Sequence, residues 1–470
     1  MKLFGDAGPA AAARYVACIG VGLLAAGPST IAAQAVPPNV TVVAPQPGSV
    51  GSEVLRLRAV YELLLERNPR VRAAEALARA ARARVPGAGL PPDPQLQFGW
   101  MNYELPSLKP MEVLGMKQLQ VMQMLPLGGK LGLAKNVARS RADAELARAR
   151  SAWWDVRAQA AMPFYELYRT DQSLVVMRET LRLLDDTRQI TQAMYRVGTG
   201  NQVDVIRAQV EIARMTEDTI RMRTMRTAMA ARLSALLDRS TDTVAASLEL
   251  PAFPQSLPSL DSLEALAFRA RPMLRAGEAE VAASESMRRL TRKELFPDLQ
   301  LGLQYGRQRG TGMPNETSAA SGTQQMGSLM IGASIPIFAR SRQLLARQET
   351  EAMLQMAQAD LRAMQADTRG SVAEEYSALL RARRLAALYR TTIIPQARAS
   401  WSSALAAYRV GKVDFMTLLD NQMIVNEYRQ ALSKLEAEEG QAWAELEMLT
   451  GSVLLPLTEN QVAPNSRIER

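Results

Sequence analysis

Thioethers are the most abundant chemically distinctive groups in this 470-residue chain, which holds 24 Met, one Cys and no His. Met215, Met222, Met225 and Met229 recur at helical spacing, and Met111, Met116, Met122 and Met124 crowd one short stretch. Thioethers are soft ligands suited to Cu(I), but Met also fills seams and irregular cores well. The positions equivalent to Met215, Met222 and Met229 in the second half of the chain hold Tyr428, Leu435 and Ala442. Core filling is therefore the expected role of the helical methionines. The absence of His removes the commonest catalytic base and metal ligand, and one Cys cannot make an intrachain disulfide or a Cys-cluster zinc site. Gly128-Gly129-Lys130 lacks the Walker spacing, and no nucleophile elbow occurs. The expectation is a protein with no catalytic residues, no metal site and no cofactor.

Residues 1–35 read as a secretory leader. Lys2 and Arg14 precede the apolar stretch 16–26, and Ala33-Gln34-Ala35 forms an A-x-A cleavage site. Cys18 follows Tyr15-Val16-Ala17, a poor lipid-attachment motif, and is expected to leave with the leader. The net charge is +9, with only eight Lys among the 56 basic residues. Arginines are scattered as Ala-Arg pairs such as Ala78-Arg79 and Ala81-Arg82 rather than gathered into one patch, so no nucleic-acid partner is expected. No later apolar run reaches 18 residues. An exported chain of this kind can enter a membrane only as strands.

The elements that organise the chain come in two sets. Tyr195-Arg196-Val197-Gly198 recurs as Tyr408-Arg409-Val410-Gly411, and at the same offset Gln209 falls on Gln422. An apolar seam with steps of 3, 4 and 7 follows each motif, as in a coiled coil. Pro92-Asp93-Pro94-Gln95-Leu96 matches Pro297-Asp298-Leu299-Gln300-Leu301, and Leu125-Pro126-Leu127 matches Ile335-Pro336-Ile337. The division expected is a leader, 1–35; a first repeat, 36–239, with strands about 94–104 and 112–125; and a linker, 240–260. A second repeat, 261–451, follows with strands about 298–306 and 326–337, and then a tail, 452–470. Each repeat reads as helix, strand, loop, strand, long helix, turn, helix.

The strands alternate. Leu96, Phe98 and Trp100 share one face against Gln95, Gln97 and Gly99; Leu299, Leu301, Leu303 and Tyr305 share another, as do Leu329 and Ile331. Such alternation fits both a half-buried soluble sheet and a tilted membrane strand. The helical pattern runs from 129 to 195, with Pro163 near an expected kink, and from 341 to 408, interrupted at Pro395. Helices on the order of 100 Å outrun a compact core and need neighbours along their length.

The ordered set of two Tyr-x-x-Gly turns, the segment 118–130 and Tyr408–Gln422 resembles the TolC-like outer-membrane efflux channel family over most of the chain. The strand pattern around 92–130 is similar to the heavy-metal branch. The resemblance implies an α+β membrane protein whose two repeats give four transmembrane strands per protomer. Three protomers would close a twelve-stranded barrel, and long antiparallel coiled helices would form a periplasmic tunnel. It also implies a homotrimer in outer-membrane lipid. Its partners would be a periplasmic adaptor and an inner-membrane efflux pump of the RND type. The tips that dock the adaptor would be Tyr195, Val197, Gly198, Thr199, Tyr408, Val410, Gly411 and Lys412. Asp420 falls on one of the two positions where the family narrows its pore with acidic side chains. The other holds Thr417 here, with Asp414 one helical turn before it on the same face. An ordinary helix start would equally favour Asp there. The apolar strand faces would meet lipid, and 306–325 and 105–110 would be external loops. Two other readings remain open at this point: an exit duct for protein secretion, and an exported coiled-coil scaffold without a pore.

Overall fold

The computed structural model describes residues 55–101, 103–104, 109–110, 116–239, 248–309, 323–335, 338 and 341–455. The expected leader and the tail beyond 455 lie outside them. Each half opens with a helix pair. Helix α1 (Leu57–Arg67) gives way to α2 (Pro69–Ala88) at Asn68. The buried Asn68 side chain accepts from the N–H groups of Arg70 and Val71 and donates to the carbonyl of Leu236, 2.8 Å away. Pro69 fits the first helical position because its missing N–H would have no partner there. The second half repeats the proline start in α5 (Leu260–Ala270), Arg271 and α6 (Pro272–Lys293), without a side-chain cap on α6.

Four strands follow: β2 (Gln95–Met101), β5 (Met116–Leu125), β7 (Leu299–Arg309) and β8 (Thr323–Ala333). They form one antiparallel sheet in the order β2-β5-β7-β8. Two small pairs accompany it. β1 (Leu55–Arg56) lies parallel to β6 (Leu248–Glu249), and β3 (Tyr103–Glu104) pairs with β4 (Lys109–Pro110). The strand bounds differ from expectation at the loop ends, and β8 stops at Ala333 rather than near 337. β7 and β8 run on through Arg307↔Gln325 to Arg309↔Thr323, because Gln and Arg keep their places in the ladder although they read as loop. β2 ends earlier than expected, with residues 103–104 turned into the small pair. Residues 105–108, 111–115 and 310–322, where the expected loops fall, lie outside the described set.

Beneath the sheet, Gly128 and Gly129 adopt φ of 74° and 79°, a backbone that a side chain resists. They launch α3 (Lys130–Arg196), a single helix of 67 residues that continues through Pro163. The Lys130 ammonium lies 2.6 Å from the Asp298 carboxylate and 2.8 Å from the Phe296 carbonyl, tying the end of β5 to the start of β7. α3 packs against α2 and α6 along one part and against α4 (Gln202–Leu236) and α9 (Phe415–Thr450) along another. The remaining strut is α7 (Gln343–Leu388), a π turn at Tyr389–Ile393 and α8 (Ile394–Arg409). The interruption expected at Pro395 thus falls one turn earlier. Pro395 has no N–H and its ring crowds the carbonyl four residues back, so the chain widens ahead of it.

The core is spread along the helices in three clusters. One joins Leu57, Tyr61 and Leu64 to Trp153, Phe164 and Tyr165. Another joins Leu263, Val372 and Leu379 to Trp443. The third lies near the helix ends, with Met177, Leu184, Met215, Tyr408 and Phe415.

Candidate functional site

Both long hairpins turn at the repeated motif by the same hydrogen bonds. The Thr199 N–H reaches the Met194 carbonyl at 2.9 Å, and the Gly198 N–H reaches Tyr195 at 3.1 Å. In the second repeat the Lys412 N–H reaches Ala407 and the Gly411 N–H reaches Tyr408, each at 2.9 Å. This is the Schellman arrangement, which requires a left-handed residue after the helix. Gly198 and Gly411 supply it, with φ of 77° and 71°. Val197 and Val410 stand 74% and 67% exposed, so each turn presents an apolar side chain to its surroundings. Thr199 and Lys412 are exposed beside them.

The two turns differ beneath the surface. Tyr408 is buried, edge-on to the ring of Phe415 at 6.0 Å between centroids, whereas Tyr195 is exposed. The residue equivalent to Phe415 in the first repeat is Gln202, which leaves Tyr195 without an aromatic neighbour to pack on. Burial pushes the Tyr408 hydroxyl up to about 12, and the nearby Asp204 carboxylate adds to the shift.

Asp414, Thr417 and Asp420 are all exposed on the first turns of α9. Asp414 is the N-cap: its carboxylate accepts from the Thr417 N–H at 3.1 Å and from the Thr417 hydroxyl. Those two bonds hold its carboxyl below the ordinary value of 3.8, with a smaller contribution from Arg207. Asp204 and Arg207 are positions that sequence reading passed over. The offset linking the two Tyr-Arg-Val-Gly motifs places them on Thr417 and Asp420, and that correspondence was the available signal.

The sheet has two unlike faces. Rows such as Leu96–Val121–Leu303–Leu329 and Phe98–Leu119–Tyr305 lie on one face. Phe98, Trp100, Leu303, Leu329 and Ile331 are all more than 60% exposed in the single chain, while Leu299 and Leu301 are half-buried. A water-soluble monomer rarely leaves so continuous an apolar surface open. The opposite face carries Gln97–Gln120–Gln304–Ser328, with Gln304 donating to Gln118 at 2.7 Å. Met116, Met122, Met326 and Met330 share that polar face, packed beside Gly302 and Gly306. Met215 is buried and Met222 and Met229 pack against the core clusters, consistent with core filling. Met111 lies outside the described residues. Among the described residues, no helix is long and apolar enough to cross a membrane.

A family model described as outer membrane efflux protein matches residues 60–239 and 265–452. The chain belongs to that family. Its place is therefore the outer membrane, and its family role is transport rather than catalysis. Solved structures agree in fold. The outer-membrane channel OprN is 21% identical, with 84% of this chain and 90% of OprN covered at a TM-score of 0.68. VceC from Vibrio cholerae is 18% identical, with 84% and 96% covered and a TM-score of 0.71. CusC is 16% identical, with 84% and 92% covered and the same TM-score of 0.71. These identities are alike and select no branch of the family. No curated protein sequence matches the chain.

Proposed function

We propose that three copies of this efflux protein close their sheets into a twelve-stranded barrel, and that the chain is the exit duct of a tripartite pump. The observation that carries this is the exposed apolar face of a four-stranded sheet whose outer strands, β2 and β8, have no further strand beside them among the described residues. Four strands cannot close on themselves, and open edges are not tolerated in lipid. Threefold symmetry removes both edges at once. Leu96, Phe98, Trp100, Leu299, Leu301, Leu303, Tyr305, Leu329 and Ile331 then meet lipid, and the Gln-lined face meets the pore. The long helices continue the duct through the periplasm. Their tips, with Val197 and Val410 outermost, dock a periplasmic adaptor joined to an inner-membrane pump of the RND type. The cargo is a metal ion or a small toxic compound. In this reading the energy comes from the pump.

In this reading Asp414 and Asp420, three of each in the trimer, form the acidic narrowing of the inner end. Carboxylates ringed around a narrow pore favour cations and repel anions. The depressed Asp414 carboxyl stays ionised above its shifted value and loses its charge only as pH falls below 3.8. The trimer in a planar bilayer is expected to keep a cation-selective reversal potential from neutral to mildly acidic pH. Asp414→Asn, which keeps the helix cap but removes the charge, combined with Asp420→Asn, is expected to shift that potential towards zero and enlarge the current. A reversal potential indifferent to both substitutions would sink the acidic gate.

A further inference from the structure

Six methionines stand in the four long strands: Met101 in β2, Met116, Met122 and Met124 in β5, and Met326 and Met330 in β8. The pairing across the sheet puts every one of them on the face that carries Gln97, Gln120 and Gln304, and none on the apolar face. Side chains placed for lipid contact would stand on the other face, so this distribution needs another cause. Core filling does not supply it, because Met101, Met124, Met326 and Met330 are exposed. Glycine makes room for the group. Met122, Gly302 and Met330 form one row across β5, β7 and β8. A Cβ on Gly302 would stand 3.3 Å from Met330 Cε and 3.7 Å from Met122 Cγ, so side chains from both neighbouring strands lie over it. Four residues on, a Cβ on Gly306 would stand 2.7 Å from Met116 Sδ. Met326 lies opposite Gly306, and Met101 lies opposite Met116. Both glycines are buried beneath these side chains. β5 and β8 are two strand spacings apart, about 10 Å, and a side chain at 302 or 306 would hold the methionines apart.

The chemistry of this face is narrow. Among the described residues of the four strands, its other side chains are Gln and Ser, with no carboxylate, His or Cys. Calcium and magnesium ask for carboxylate and carbonyl oxygens, and zinc for imidazole or thiolate. Thioethers instead select soft Cu(I), and Ag(I) shares its charge and softness. We propose that the pairs Met122 with Met330 and Met116 with Met326 are thioether sites for a soft monovalent cation, Cu(I) or Ag(I), at two levels of the duct wall. Each pair lies within one chain, and only its place in a pore rests on the barrel proposed above. The two levels are about 13 Å apart along β7. Neutral ligands leave the charge on the ion, so it is held weakly. Weak sites in series let an ion enter and also leave, as conduction requires.

Silver titration of the purified full-length protein tests these sites. Cys18→Ser leaves thioethers as the only sulfur in the chain, and silver nitrate in chloride-free buffer is followed by isothermal calorimetry. Met116→Leu, Met122→Leu, Met326→Leu and Met330→Leu together keep the volume and the apolar surface, so they remove the soft ligand and little else. This fourfold variant is expected to bind Ag(I) about tenfold more weakly than its parent, with the same trimer level in detergent. Met353→Leu with Met356→Leu removes two exposed thioethers of α7 and is expected to change nothing. If the fourfold variant does not fold, the 122/330 and 116/326 pairs made separately are each expected to lose part of the bound silver. An affinity unchanged by the strand substitutions, or lowered as much by the α7 pair, would overturn the sites. A trimer that conducts alongside that result would leave the duct standing. Silver bound through these methionines by a chain that stays monomeric and never conducts would uphold the sites and overturn their place in a duct wall.

Discussion

Glu447→Ala is expected to destabilise the helical body by about 3–5 kcal/mol, the cost of leaving one partner of a buried ion pair alone. The Glu447 side chain is 1% exposed and its carboxylate lies 2.6 Å from the guanidinium of Arg157, itself 7% exposed. Its other oxygen accepts from the N–H groups of Leu454 and Leu455 at 2.9 and 3.0 Å, fastening the chain after α9 back onto the helix. Arg157 stacks over Tyr61 at 4.2 Å and lies 5.2 Å from the ring of Trp154, so the pair sits where α1, α3 and α9 meet. Removing Glu447 strands a cation and two amides at once. Arg157→Met is expected to cost less, because Glu447 keeps both amides and the methionine still covers the rings. Thermal unfolding in detergent, followed by circular dichroism, ranks the two variants. A loss below about 1 kcal/mol for Glu447→Ala would mean the pair behaves like an exposed one.

The second large effect is expected at the tips. Gly411→Val forces a β-branched residue into the left-handed backbone that the Schellman turn demands, at φ of 71°. No neighbour lies within 4 Å of the Cβ that would be added, so the cost is confined to the backbone, about 1–2 kcal/mol. That is too little to unfold the trimer and enough to reshape the turn that presents Val410. Cells carrying Gly411→Val are expected to accumulate the pump's cargo as cells lacking the chain do, with trimer levels unchanged. Gly411→Asn, which tolerates the same conformation, is expected to retain most export. Full export by the Val variant would show that the turn's shape does not matter to docking. Gly198→Val should behave in the same way, since its turn uses the same bonds.

Much of this architecture was legible because it is periodic. Alternation in 95–101 and 299–305 gave the strand faces, and the Tyr-x-x-Gly repeat located both turns. What escaped was non-local or depended on neighbours. Arg157 and Glu447 are 290 residues apart, and nothing beside Arg157 marks it out from the other arginines. Pro163 and Pro395 look alike in sequence, yet α3 continues through the first, and a π turn precedes the second. Pro163 is buried among helices that hold its segment in place, whereas the turn ahead of Pro395 contains no buried residue. Tyr195 and Tyr408 occupy equivalent positions, and their different burial follows from one unlike partner, Gln202 against Phe415. The strand ends at 309 and 323 were hidden because Gln and Arg read as loop although the ladder continues through them.

An exit duct requires that the sheet cross a membrane and enclose a pore. Single-channel recording of the purified, detergent-extracted protein in a planar bilayer tests that directly. Discrete current steps from a trimer, cation-selective and small while the tips are closed, are the predicted result. Well-folded protein that never inserts and never conducts would contradict the channel and leave an exported helical scaffold in its place.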